Sequence, residues 1–151
     1  VDYNAGRILA ELEAQGELDN TLVLFTSDHG EMLGDYGCWG KRSILDAAAR
    51  VPLIARHPWR FGAGVRYDRP VSLVDVLPTC LRAAGLKPGK EHAGEDLADI
   101  ASGGGDRPGV YSQFQQGELG LYGFITDEYK YIWSAPDQRE WLFRRNPGQP
   151  D

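Results

Sequence analysis

The chain has 151 residues, of which 42% are hydrophobic and 25% charged, and its net charge is −6. That length accommodates one core, and the composition excludes a disordered or coiled-coil chain. An acidic balance without any Lys/Arg tract argues against a nucleic-acid partner. No apolar run approaches the roughly 18–20 residues that span a bilayer, and any export signal is expected to precede Val1.

In chain order, Ala5, Ile8, Leu9 and Leu12 form a helical stripe within residues 1–15, with Gly16 placed to cap its C-terminal end. This stripe lacks a capping residue ahead of it, so the chain is expected to begin inside a larger element. Glu17 to Asn20 is a turn. Thr21 to Phe25 (TLVLF) is a short apolar run that reads as a strand covered on both faces. Glycines at 30, 34, 37 and 40 then make a loop, with a short helix expected in 43–49, before a second strand at Val51 to Ala55 (VPLIA).

SLVDVLPTCLRAAG, from Ser72, places Leu73, Val76, Leu77, Cys80, Leu81 and Ala84 on one helical face, which puts Cys80 in a core. Ser72 with Asp75 has the spacing of a capping box, and Pro78 predicts a kink or a late helix start. Residues 87–108 read as a Gly-rich connector with a helical piece at 96–101. VYSQF, LYGFIT, YKYIW and EWLFR then alternate with turn residues as antiparallel strands do. The fold class is therefore α/β, with residues 1–107 as the α/β part and 108–151 as a small antiparallel β subdomain. The terminal NPGQPD is expected to stop short of any closing element.

The chemistry gathers after the first strand, in TSDHGE. In open α/β sheets ligands bind beyond the carboxyl ends of strands, where Asp28 offers a hard oxygen and His29 a borderline nitrogen, both suited to a divalent cation. The same residues would serve as a capped turn with a satisfied imidazole. Two ligands are in any case too few for such an ion, so others must come from elsewhere. Lys41, in GCWGKRS, is placed either to meet an anion held on that cation or as a solvated loop lysine. Arg42, Asp46 and Arg50 share the ambiguity, although Arg50, just ahead of VPLIA, reads as a structural partner. His57 and His92 have no carboxylate at ligand spacing. Two cysteines are too few for a disulfide framework or a zinc knuckle.

The succession DNTLVLFTSDHGEMLGDYG, WGK, AARVPLI and VSLVDVLPTCLRAAG strongly resembles the type I sulfatases of the alkaline-phosphatase superfamily, and the likeness continues through VYSQF and EYKYIW to LFRRNPG. It implies part of an alkaline-phosphatase-like sheet with flanking helices, followed by the family's small C-terminal subdomain. It carries cation binding to Asp28 and His29, with calcium the expected ion and manganese or magnesium the alternatives, and sulfate contact to Lys41. Asp46 and Gln113 stand where relatives often have Glu, and neither receives a role.

The family's nucleophile, a formylglycine made from the Cys of C-x-P-x-R, has no counterpart here. Cys38 and Arg42 have that spacing, but Gly40 replaces the proline. The chain thus resembles the C-terminal portion of a sulfatase, with nucleophile and remaining carboxylates supplied by residues outside it, a sulfate-ester small molecule or sugar as substrate, and negligible turnover alone. Two rivals are a phosphonate monoester or phosphodiester hydrolase of the same superfamily, and a non-catalytic binding or assembly module. An exposed sheet edge would also admit pairing with a second copy of the chain.

Overall fold

The computed structural model describes residues 1–146, so residues 147–151 of the NPGQPD stretch lie outside the described residues. Helix α1, Asp2–Ala14, follows the apolar stripe and ends before Gly16, whose φ of +72° makes the left-handed turn expected of it. None of its residues is buried. A short 3-10 turn at Leu18–Asn20 leads into β1, Val23–Thr26. The second strand, β2, Leu53–Arg56, pairs with it antiparallel, Phe25 opposite Ile54.

The expectation that this first strand is covered on both faces is not met. Phe25 is 37% and Ile54 61% exposed, because each strand has one partner and their shared face is uncovered among the described residues. Pairing alone satisfies one edge of a strand and covers neither face.

Between the strands lies the long loop from Gly30 and the one-turn helix α2, Asp46–Ala49. Ser72 opens the next helix as its spacing predicts. The Ser72 hydroxyl accepts the Val74 N–H and the Asp75 carboxylate accepts the Ser72 N–H at 2.8 Å, completing a capping box. The first turn, Leu73–Asp75, is 3-10, and α3 proper runs over Val76–Ala83, so Pro78 falls in its first turn, where a missing N–H costs little.

Of the face assigned to the core, Val76 and Leu81 are half-buried and the rest is turned outward. Asp75, Pro78 and Thr79 point inward, whereas Leu73, Leu77 and Cys80 are exposed. Polar contacts decide the rotation. Thr79 Oγ1 donates to the Asp75 carbonyl at 2.6 Å and accepts the Leu97 N–H at 2.9 Å, tying α3 to α4, Leu97–Ala101. Asp96 caps α4 through the Ala98 N–H and pairs with Arg60.

Asp75, fully buried, is the centre of this junction. Its two oxygens receive a bidentate Arg107 guanidinium at 2.6 and 2.5 Å, together with the N–H groups of Ser72 and Glu95. Asp75 in turn holds the Arg107 guanidinium still more firmly protonated than usual, against the opposing effect of burial.

Four strands follow as a meander: β3, Val110–Phe114; β4, Leu121–Ile125; β5, Tyr129–Ser134; and β6, Arg139–Arg144. Burial alternates strictly along β5, placing Lys130, Ile132 and Ser134 inward and Tyr129, Tyr131 and Trp133 outward. Cross-strand pairing puts Gly123 of β4 beside Ile132 on the inner face. On the outer face Tyr122 stacks on Trp133, with ring centroids 5.5 Å apart.

The buried apolar side chains are Met32, Ile44 and Ala48 from the loop and α2, Leu97 and Ile100 from α4, and Val110 and Ile132 from the sheet. Residues 32–48 meet the inner face of the four-stranded sheet, where Ile44 lies against Gly123, while α4 packs on α3. No helix among the described residues is long and apolar enough to cross a membrane.

Because Asp75 is fully enclosed, truncating its partner leaves a buried carboxylate uncompensated. Arg107→Ala is expected to lower unfolding stability by about 3–5 kcal/mol, measured as a shift of the denaturant midpoint. Arg107→Lys should recover only part of this, since an ammonium cannot make the two-pronged contact.

Candidate metal and anion site

The strand β1 ends at Thr26, and Ser27, Asp28 and His29 form the turn that follows. The Ser27 hydroxyl donates to the His29 carbonyl at 2.8 Å and the Asp28 Oδ1 accepts the His29 N–H at 3.0 Å. These bonds are those of a capped turn, yet they engage only one Asp28 oxygen strongly. Asp28 Oδ2 lies 3.3 Å from His29 Nε2. The N–H donated by His29 holds the Asp28 carboxyl below the ordinary carboxylate range, against the opposing effect of desolvation and with smaller help from the His29 ring and Ser27.

The imidazole is oriented by its other nitrogen. Nδ1 lies 2.8 Å from the Gly30 carbonyl, and Nε2 is within hydrogen-bonding reach of Lys41 Nζ. A carbonyl only accepts and an ammonium only donates. The tautomer with its proton on Nδ1 therefore satisfies both contacts and leaves the Nε2 lone pair directed at the cation beside it.

Gly30 is required by close approach. Its N–H donates to the Ala48 carbonyl at 2.8 Å, and a Cβ at this position would stand 2.1 Å from the Ala47 carbonyl oxygen. The turn is thus seated directly on the backbone of α2.

Lys41 reaches the imidazole because its loop closes on itself. The Met32 N–H donates to the Gly40 carbonyl at 2.8 Å, and Gly40 takes a φ of +87° that a side chain would disfavour. Met32 and Ile44, buried on either side of this closure, anchor the loop in the core. The structure therefore brings together all three residues singled out from the sequence, Asp28, His29 and Lys41.

The neighbouring candidates have structural partners. Asp46 receives Arg50 at 3.1 Å and Lys130 at 2.5 Å, so Arg50 is the structural partner its position suggested. Burial works to raise the Asp46 pKa, but the donors from Lys130 and Arg50 outweigh it and leave the carboxyl below its ordinary range. Gln113 donates to the Gln115 carbonyl. The His57 Nδ1 is buried without a hydrogen-bond partner among the described residues.

Lys130 is the residue sequence reasoning missed. Its signal was present in YKYIWS, where strict alternation gives Lys130 the same parity as Ile132, facing inward. An inward lysine demands a carboxylate.

The donor chemistry at Asp28 and His29 fits a divalent cation: a carboxylate oxygen and an imidazole nitrogen converge, and the second imidazole nitrogen is fixed by a carbonyl, as is usual for metal-bound histidine. No third His, Cys, Asp or Glu joins them among the described residues.

Residues 1–86 match the family model for the sulfatases. The N-acetylglucosamine-6-O-sulfatase of Bacteroides thetaiotaomicron is 34% identical over 93% of the chain and 27% of its own length. Among solved structures, BT4656 in complex with its substrate D-glucosamine-2-N,6-O-disulfate superposes with a TM-score of 0.79 at 31% identity, covering 95% of this chain and 31% of that one. The phosphonate monoester hydrolase SpPMH from Silicibacter pomeroyi superposes with a TM-score of 0.83 at 28% identity, covering 100% and 33%. The chain belongs to the sulfatase family and has its alkaline-phosphatase-like fold. It spans about a third or less of the length of these relatives.

Two predictions follow the seating of this turn. Gly30→Ala forces a collision with the Ala47 carbonyl and is expected to cost about 1–3 kcal/mol, seen as a lowered Tm. For Asp46, whose folded-state pKa lies below its unfolded one, the stability it contributes is fully present above the unfolded value, about pH 4. It is lost as pH falls through the folded value. The stability difference between the unaltered protein and Asp46→Asn should therefore be constant above about pH 5 and shrink below about pH 4, as urea titrations at several pH values would record.

Proposed function

We propose that the protein carrying this chain hydrolyses sulfate esters, with Asp28 and His29 as ligands of a divalent cation and Lys41 as a contact for the anionic ester. Calcium is the expected ion, and manganese or magnesium would also suit an imidazole-bearing site. The observation that carries the proposal is the convergence of Asp28 Oδ2, His29 Nε2 and Lys41 Nζ on one turn, with Nδ1 of the imidazole against the Gly30 carbonyl.

A sulfate ester is anionic, and its transition state spreads charge over nonbridging and leaving oxygens. Fixed positive charge at that place stabilises the transition state more than the ground state. When bound, the cation would supply Lewis-acid polarisation of an ester oxygen, and a formylglycine supplied by residues outside this chain would serve as nucleophile. Lys41, whose ammonium now rests on the imidazole, is placed to turn to a sulfate oxygen. With Nδ1 donating to the Gly30 carbonyl, His29 would offer its Nε2 lone pair to the cation once Lys41 turns away. The sulfated amino sugar bound in one structural relative supports a sulfated sugar as substrate.

A second reading, phosphonate monoester hydrolysis, has support of its own in the phosphonate monoester hydrolase that superposes over the whole chain. Both substrates present tetrahedral oxyanions to the same cationic cradle.

The test compares a glucosamine 6-sulfate, an aryl sulfate and a phenylphosphonate monoester as substrates of the complete gene product. A preference for the sulfates is expected, and a large phosphonate preference would replace the first reading with the second. Lys41→Ala is expected to lower kcat/KM by roughly 100-fold or more, and unchanged hydrolysis in Asp28→Asn and His29→Ala together would remove the assignment of these two residues as cation ligands.

A further inference from the structure

The metal and anion residues all lie before residue 42, yet what holds them in place arrives from the far end of the chain. Lys130 is 3% exposed, on the inner face of β5, and its ammonium meets Asp46 Oδ1 at 2.5 Å. Asp46 is the first residue of α2. Two residues on, the Ala48 carbonyl accepts the Gly30 N–H, and the Ala47 carbonyl abuts the Gly30 α-carbon so closely that no Cβ could fit. The Gly30 carbonyl then accepts the His29 Nδ1 proton, which fixes the direction of Nε2. Three hydrogen bonds, linked through the backbone of α2 and of Gly30, thus connect the four-stranded sheet to the imidazole. A second contact runs beside it, because Ile44 packs against the inner face where β4 carries Gly123, a place that a Cβ would fill at 2.7 Å.

We propose that Lys130 is a positioning residue for the candidate metal site, acting through Asp46 and α2 on Gly30 and so on His29. This rests on the assignment of Asp28 and His29 as cation ligands. Lys130 touches neither substrate nor ion. Its ammonium fixes the helix turn against which the ligand turn is seated, as outer-shell partners orient metal ligands elsewhere. Asp46 also holds Arg50, four residues on in the same short segment.

The test uses the complete gene product, with Ca2+ and Mn2+ as calorimetric probes and hydrogen exchange over residues 27–33 as a readout that needs no metal. In Lys130→Met, exchange over 27–33 is expected to quicken and cation affinity to fall roughly 10–100-fold, with most of both recovered in Lys130→Arg. A double variant, Asp46→Leu with Lys130→Met, removes both charges and so avoids an unpaired buried carboxylate. It should keep its Tm and still show the weakened affinity and faster exchange. Native exchange and affinity in either folded variant, or loss of the fold in both, overturns the proposal. Asp28→Asn and His29→Ala separate the two layers. Native affinity in them removes the ligand assignment itself, whereas weakened affinity there with native affinity in Lys130→Met removes only the positioning role.

Discussion

A carboxylate with no access to water, Asp75, has to be met on every side by donors, and the course of the chain follows from how that demand is satisfied. Arg107 takes both oxygens, and the backbone N–H groups of Ser72 and Glu95 complete the shell. An ionised carboxylate left bare in such a place would cost several kcal/mol, so the three segments that supply these donors are tied to one point. Arg107 stands three residues ahead of β3, and Asp75 therefore fixes where the four-stranded sheet begins. From that sheet Lys130 and the space over Gly123 reach back to Asp46 and Ile44. One buried ion pair ties the scaffold to the start of the sheet, and a second joins the sheet to α2, on which the turn at Asp28 and His29 is seated.

The two pairs differ in what they hold. Asp75 and Arg107 join elements of the scaffold to each other, with each acceptor lone pair used. Asp46 and Lys130 join the scaffold to a loop rich in left-handed residues, where Leu33, Gly34, Tyr36, Gly37 and Gly40 all have positive φ. A loop of that kind has little intrinsic preference for one course. Its placement comes from Met32 and Ile44 in the core, from the backbone closure between Met32 and Gly40, and from the tether at Asp46. In the cluster of Asp28, His29 and Lys41 the carboxylate and the ammonium are exposed and the imidazole half-buried, over a backbone held by these contacts.

Much of the organisation was legible along the chain. The stripe in α1, the capping box at Ser72 and Asp75, the late helix start imposed by Pro78 and the four aromatic strands are local matters, set by periodicity, side-chain capping and the missing proline N–H. The candidate site was legible for a related reason, since Asp28 and His29 are adjacent and Lys41 lies within the same loop. The rotation of α3 was not legible. Its apolar stripe is the stronger pattern, yet Asp75 and Thr79 face inward because their partners, Arg107 and Leu97, are 32 and 18 residues away.

What the sequence determined by itself is therefore what short-range forces decide: where helices and strands begin and end, which residue types stand after β1, and the parity that sends Lys130 inward. Only the tertiary structure decided which of these groups meet. Hydrophobic periodicity states that a face is apolar without naming what lies against it, and a buried charge states that it needs a partner without saying which. The pairing of Lys130 with Asp46 spans 84 residues, and it exists because the sheet carries that lysine to α2, behind the turn at Asp28 and His29.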